Sequence, residues 1–265
     1  MMLWTYLACF GRNIPYEGGS EDTITTVECD AASEVGFTIS GTVLDLQTQA
    51  PAPAGLCVTA IDPTPALTGG EPRALAAGRV CDDGAFVVPG IEDASTIATF
   101  IVVDDCEGQP DDFARIATGV VGDDYADLGD GEAVEGATVI AITNDHLATI
   151  EADLARVGFD GESLLETGFL AGPALDPSEA PLSGCVVGCN GCSPYYFDNE
   201  PSDGLFGADS ELNGSTDAAA EGLFLIPAAG VGQYTCDDGG VHEWDSLLVG
   251  SFEGYGVFIQ LLATR

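Results

Sequence analysis

Cationic charge is what this sequence has least of. Lysine is absent, and the six arginines face 44 aspartates and glutamates, for a formal net charge of −38. A surface of that sign repels a phosphate backbone, so nucleic-acid binding is excluded. Anionic lipid headgroups are repelled for the same reason. Histidine is almost as scarce, with only His146 and His242. No Gly-x-Ser-x-Gly occurs, since the nearest stretch, Gly250-Ser251-Phe252-Glu253-Gly254, has the wrong spacing. A Ser/His/Asp system would have to use His242, in the polar turn GGVHEWD. Long apolar runs are also missing. After the first ten residues nothing approaches the roughly 18–20 needed to cross a bilayer.

The acids that are present have two readings. Most make a solvated surface that keeps the chain soluble and is stabilised by salt. The loop 123–136 is denser, and Asp123, Asp127, Asp130 and Glu132 offer hard oxygen ligands to Ca²⁺. Its spacing is not that of an EF-hand, because Tyr125 stands at a ligand position. Ca²⁺ is therefore the candidate ion for this loop, and no organic cofactor is expected.

Nine cysteines mark the compartment. Cys29, Cys57, Cys81 and Cys106 fall in the first half, and Cys185, Cys189, Cys192 and Cys236 in the second. Eight pairable cysteines on a turn-rich chain read as disulfides in an oxidising environment, with connectivity open. The second set can also be written as four thiolates for zinc, although the oxidising context favours bridges. The ninth, Cys9, follows the apolar opening MMLWTYLA, and Leu7-Ala8-Cys9 resembles the end of a bacterial lipobox. Lipidation at Cys9 is the expectation. Tyr6 stands where Leu is usual, and a start further upstream would supply the basic region and length of a signal peptide.

Residues 10–34 are polar and acidic and suit a tether. Alternation of period two begins at Phe37-Thr38-Ile39-Ser40 and predicts a half-buried strand. Further strands are expected over 56–62, 74–81, 85–91, 98–105, 113–122 and 137–144, a spacing that suits a Greek-key sandwich. Asp145 then opens a helix over 146–157 with Leu147, Ile150, Leu154 and Val157 on one stripe, and Gly158 closes it.

The strand pattern returns in the second half. FTISGTVLD at 37–45 is echoed by GFLAGPALD at 168–176, PAGLCVTAID at 53–62 by PLSGCVV at 181–187, and DDGAFVVPG at 82–90 by AEGLFLIPA at 220–228. Gly41 and Asp45 then match Gly172 and Asp176. Pro53 and Cys57 match Pro181 and Cys185, while Gly84, Phe86 and Pro89 match Gly222, Phe224 and Pro227. The stretch 188–216 has no counterpart.

The elements Gly41-Thr42-Val43-Leu44-Asp45, Pro53-Ala54-Gly55-x-x-Val58 and Asp82-Asp83-Gly84-x-Phe86 resemble the carboxypeptidase regulatory-like family of prealbumin-type sandwiches. The second copy departs from it at Pro173 and Ala174. The resemblance implies a β-sandwich with a non-catalytic role and carries over no catalytic residue.

The expected fold is therefore all-β: two tandem Greek-key β-sandwiches joined by one short helix. The expected layout is a lipobox-like N-terminus and tether over 1–34, a first sandwich over 35–144, a linking helix over 145–160, and a second sandwich over 161–265. The expected function is a non-catalytic exported surface protein that binds a protein or glycan, touching a membrane only through a lipid anchor. The alternative is a secreted hydrolase or accessory carbohydrate-active protein using the second module and His242. Tyr195, Tyr196 and Phe197 in the insertion, with His242 and Trp244, are the candidate ligand contacts, because aromatic rings on sandwich loops either stack on a ligand or pin a loop to its core.

Overall fold

The computed structural model describes residues 33–66, 69–92, 99–120, 128–189, 191–198, 204–208, 211–212 and 214–265. The chain divides into two compact units, with the boundary between Thr143 and Asn144.

The first unit is built from β1 (Phe37–Asp45), β2 (Cys57–Asp62), β3 (Arg73–Arg79), β4 (Ala85–Ile91), β5 (Thr99–Asp104), β6 (Phe113–Ala114), β7 (Ile116–Val120) and β8 (Ala133–Thr143). One sheet runs β4-β1-β8-β6 and the other β7-β5-β2-β3. The pairing of β1 with β8 is parallel. Period-two alternation drives the inward side chains together: Ile39 and Val43 of β1, Phe86 and Val88 of β4 and Val139 of β8 meet Val58 of β2 and Ile101 and Val103 of β5. The stretch 113–122, expected as one strand, is two. β6 pairs with β8 and β7 pairs with β5, so the chain changes sheets at Arg115. The Arg115 Nε lies 2.9 Å from Asp104 Oδ2 there. Burial nonetheless holds the Asp104 carboxyl above its ordinary pKa, outweighing the arginine.

The second unit opens with α1 (Asn144–Arg156) and α2 (Leu164–Thr167). The helix expected to link two sandwiches thus belongs to the second unit itself. Its stripe of Leu147, Ile150 and Leu154 is buried. It ends as Gly158 turns to φ +94° and the Phe159 N–H donates to Leu154 O at 2.9 Å. Strands follow: β9 (Phe169–Leu175), β10 (Val186–Gly188), β11 (Tyr195–Tyr196), β12 (Gly207–Ala208), β13 (Glu211–Leu212), β14 (Leu223–Pro227), β15 (Gly232–Asp237), β16 (Leu247–Val249), β17 (Gly256–Phe258) and β18 (Leu261–Leu262). One sheet places β11 and β14 on one side of β9 and the parallel β17 and β18 on the other. A second sheet runs β10-β15-β16, and β12 with β13 forms a small hairpin.

The two units share a frame down to single residues. Gly41 of β1 faces Phe86 of β4, and Gly172 of β9 faces Phe224 of β14. Each glycine admits a neighbouring carbonyl where a side chain would stand. A Cβ on Gly41 would sit 1.8 Å from Ala137 O, and one on Gly172 would sit 1.7 Å from Ile259 O. Asp45 closes the following loop by accepting from Thr48 N–H and hydroxyl at 2.8 and 2.7 Å, and Asp176 accepts likewise from Ser178 at 2.8 and 2.7 Å. The bridges Leu44–Pro51 and Leu175–Pro181 then show that Pro51, not Pro53, is the counterpart of Pro181. The stretch 188–216 is also less foreign than its sequence suggests. Tyr196 of β11 pairs with Phe224 where Val80 bridges Phe86 in the first unit. The difference lies in the strand before that bridge. In the first unit β3 runs along β2 through its whole length, whereas β10, which matches β2, pairs with β15 alone among the named strands.

Candidate functional site

A cavity of about 800 Å³ lies within the second unit. One wall is Phe159, which follows the glycine that ends α1. A second is the turn Gly191-Cys192-Ser193 with Tyr195 of β11, and the third runs from Pro227 at the end of β14 through the glycine-rich turn to Gln233 and Tyr234 of β15. None of the lining residues carries a charge.

The local fold explains what holds these residues in place. Alternation along β15 buries Tyr234 and exposes Gln233. The Tyr234 hydroxyl donates to Gly230 O at 2.6 Å, which fixes both the ring and the turn beside it. Burial raises the Tyr234 pKa, so the phenol stays neutral. Tyr195 meets Phe159 edge-on at 6.2 Å and Phe206 at 6.0 Å. Burial, and secondarily the charge of Asp160, raises the Tyr195 pKa as well.

The five aromatic candidates separate. Only Tyr195 lines the cavity. Tyr196 is buried, and its hydroxyl accepts the Val187 N–H at 2.8 Å. Burial raises its pKa, partly offset by that hydrogen bond. Phe197 is buried against Phe206 with ring centroids 4.6 Å apart. Both therefore pin the insertion to its own core rather than present a surface. His242 and Trp244 meet edge-on at 6.4 Å and are not part of the cavity lining.

His242 has one feature of a catalytic base. Its Nδ1 lies 2.5 Å from Asp238 Oδ2. Burial pushes the Asp238 carboxyl up, but the hydrogen bond from the His242 ring and those from the His242 and Val241 N–H groups hold it below the ordinary range. The same carboxylate therefore organises the turn 238–242. Ser178 donates its hydroxyl to Asp176. Its hydroxyl, followed by the Ala180 and Ser178 N–H groups, pulls the Asp176 pKa down.

The acidic loop gives a similar picture. Asp130 Oδ1 accepts from Gly36 N–H at 2.8 Å, and Glu132 Oε2 accepts from Gly129 N–H at 2.6 Å. Asp123 and Asp127 lie outside the described residues. Among the described residues no group of three or more His, Cys, Asp or Glu is placed to hold a metal.

The cysteines pair as Cys57–Cys106, Cys185–Cys236 and Cys189–Cys192. Cys81 is also disulfide-bonded. Cys9 and Cys29 lie outside the described residues. The second-half set is thus committed to bridges rather than to zinc. Each unit has a bridge of matching span, at separations of 49 and 51 residues.

The cavity residues that sequence reasoning missed are Phe159, Gln233 and Tyr234. Period two along QYTC does place Gln233 and Tyr234 on opposite faces, but nothing in the sequence brings that strand to residues 191–195.

No protein-family model matches the chain, and no curated protein matches it. Among solved structures, the Bacillus anthracis TIE protein is 13% identical at TM-score 0.26, over 86% of this chain and 33% of that one. The group B streptococcus pilus 2b backbone protein is 14% identical at TM-score 0.24, over 43% of each chain. The shaft pilin SpaA of Lactobacillus rhamnosus GG is 12% identical at TM-score 0.24, over 86% of this chain and 97% of that one. This chain thus spans a third to under a half of the first two proteins. Likenesses at these TM-scores carry no argument about function, and the all-β class rests on the strands and sheets themselves.

Proposed function

We propose that this chain is an exported, non-catalytic binding protein made of two sandwiches of the carboxypeptidase regulatory-like type, held at a bacterial surface through a lipid on Cys9. The observation that carries the reading is the shared frame. Gly41 and Gly172, Asp45 and Asp176, Phe86 and Phe224 recur because the fold requires them, and none of them is a reacting group. The groups that could do chemistry are spent on structure: Asp238 on its turn and His242, Ser178 on Asp176, Asp130 and Glu132 on backbone amides. Disulfides in both units fit an oxidising compartment. Incubation of the purified protein with generic ester, peptide and glycoside substrates is expected to give no turnover. Turnover that His242→Ala abolishes would overturn the reading. Mass spectrometry of the mature protein from its native cell is expected to find a diacylglyceryl cysteine at Cys9, and an unmodified Cys9 would remove the anchor from the proposal.

A further inference from the structure

We propose that the cavity walled by Phe159, Tyr195 and Tyr234 is a binding site for a short, uncharged oligosaccharide. The inference deepens the binding role above and rests on it. Three observations converge. The first is electrostatic. The chain carries a net charge of −38, yet no carboxylate and no arginine lines this cavity. A site for a cation would place acids at its wall, and a site for an anion would place arginine there. An uncharged wall selects a neutral ligand.

The second observation concerns hydrogen bonding. The Ser193 hydroxyl, the Tyr195 hydroxyl and the Gln233 amide make no hydrogen bond to another described residue. Ser193 and Gln233 are exposed, so a ligand with hydroxyls would take up capacity that water meets in its absence. Around one cavity, then, stand two hydroxyls and one amide, all with capacity to donate and to accept and none of them charged. Vicinal hydroxyls on a ring ask for that combination. A hydrophobic ligand would leave these groups desolvated without partners.

The third is shape. Phe159 and Tyr195, both partly exposed, supply flat apolar faces, and the Tyr195–Phe159–Phe206 contacts hold these two rings before any ligand arrives, while Tyr234 is buried in the wall with its hydroxyl on Gly230. A pyranose ring has an apolar face of C–H groups and an equatorial belt of hydroxyls, so it can use a ring wall and a polar wall at once. The volume of about 800 Å³ exceeds one sugar ring and falls in the common range of small-molecule sites, about 300–1,000 Å³. The Cys189–Cys192 bridge ties down the residue next to Ser193, which limits the entropy lost on binding.

The test is an immobilised panel of neutral gluco-, manno-, galacto- and N-acetylglucosamine oligosaccharides, with sialylated and sulfated glycans beside them, probed with the full chain. At least one neutral series is expected to be retained, and the anionic glycans to be at least ~10-fold weaker. Gln233→Ala and Ser193→Ala are each expected to weaken retention about 5–10-fold, the equivalent of one hydrogen bond. Neither alters a buried residue, so their melting temperatures should be unchanged. Tyr195→Ala is expected to abolish retention and Tyr195→Phe to reduce it only as far as the loss of one hydroxyl does. No retained neutral glycan, equal retention of anionic ones, or unchanged retention by Gln233→Ala and Tyr195→Ala together would each overturn the site. Mass spectrometry of the recovered glycans separates the two levels of the argument. Cleaved glycan would overturn the non-catalytic reading. Glycan that is intact but never retained would overturn only the saccharide assignment.

Discussion

Tyr196→Phe removes one oxygen atom from the second unit, and the structure sets what that should cost. The Tyr196 hydroxyl accepts the Val187 N–H at 2.8 Å, and both residues are buried, at 3% and 4% exposure. Among the described residues β10 lacks the neighbouring strand that β3 gives to β2, and the Val187 N–H donates to the Tyr196 hydroxyl instead of to a strand carbonyl. The edge is instead closed by single groups. Thr216 Oγ1 accepts Cys185 N–H, Thr216 O accepts Gly184 N–H, and Tyr196 takes Val187. With phenylalanine in place, the amide stays buried without a partner. The relevant figure is then the desolvation penalty of an orphaned donor, about 1–3 kcal/mol, rather than the net value of an average hydrogen bond. For a unit of this size that is a fall in melting temperature of roughly 3–12 °C. Tyr195→Phe is the matched control. It makes the same chemical change one residue earlier, where the hydroxyl has no hydrogen-bond partner among the described residues, so its effect should stay within about 0.5 kcal/mol. Thermal unfolding of both variants with disulfides intact, plus hydrogen exchange at the Val187 amide, decides the matter. If the two variants melt together, or if Val187 exchanges no faster in Tyr196→Phe, the edge is not held as argued.

Two further outcomes follow from the shared frame and the titrating groups. Gly41→Ala and Gly172→Ala should each cost on the order of 4 kcal/mol or prevent folding, because the added methyl would meet a backbone carbonyl at 1.8 and 1.7 Å. Gly214→Ala, where nothing lies within 4 Å, should be near neutral, and denaturant melts showing all three alike would sink the assignment. Tyr195, Tyr196 and Tyr234 have folded pKa values above the ordinary tyrosine value of about 10, chiefly because of burial. The folded state therefore holds more protons than the unfolded one above that pH, so their contribution is complete below pH ~10 and is lost as the pH rises through the folded values. Asp238 and Asp176 have lowered pKa values, so their contribution is present above the ordinary carboxylate range and is lost as pH falls through the folded values. Stability measured against pH should thus decline at both ends. Tyr196→Phe should remove part of the alkaline decline, and a profile unchanged by it would contradict the burial of that phenol.

The first unit was legible because its strands obey period two and its loops are punctuated by Pro and Gly. All the expected strands over 37–144 occur, and the errors fall where the pattern is silent about partners. The run 113–122 looks like one strand because a change of sheet leaves no mark on hydrophobicity, and the switch at Arg115 costs only one alternation. Alignment by identity pairs Pro53 with Pro181, whereas the backbone aligns Pro51 through its bridge to Leu44. The parallel pairing of β1 with β8 was equally invisible, since it joins segments some 90 residues apart and depends on Gly41 admitting Ala137 O. The helix was found to within two residues, but its allegiance to the second unit is a matter of tertiary packing, which a stripe of leucines does not reveal.

The site was legible only where the two copies diverge, and there it was half misread. Three adjacent aromatics, Tyr195, Tyr196 and Phe197, looked like one patch because they are contiguous in the chain. β11 is a strand, and alternation sends neighbours to opposite faces: Tyr195 toward the cavity and Tyr196 into the core. The same geometry explains why the insertion exists. A strand in the β3 position that runs along β10 would seal that edge and leave no reason for Tyr196, Thr216 and the Cys189–Cys192 turn to be where they are. Because β11 pairs with β14 instead, the turn at 191–193 is free to stand opposite the start of β15, and the space between them is the cavity. The departure from the common frame and the opening of a neutral, aromatic-walled pocket are thus one structural event.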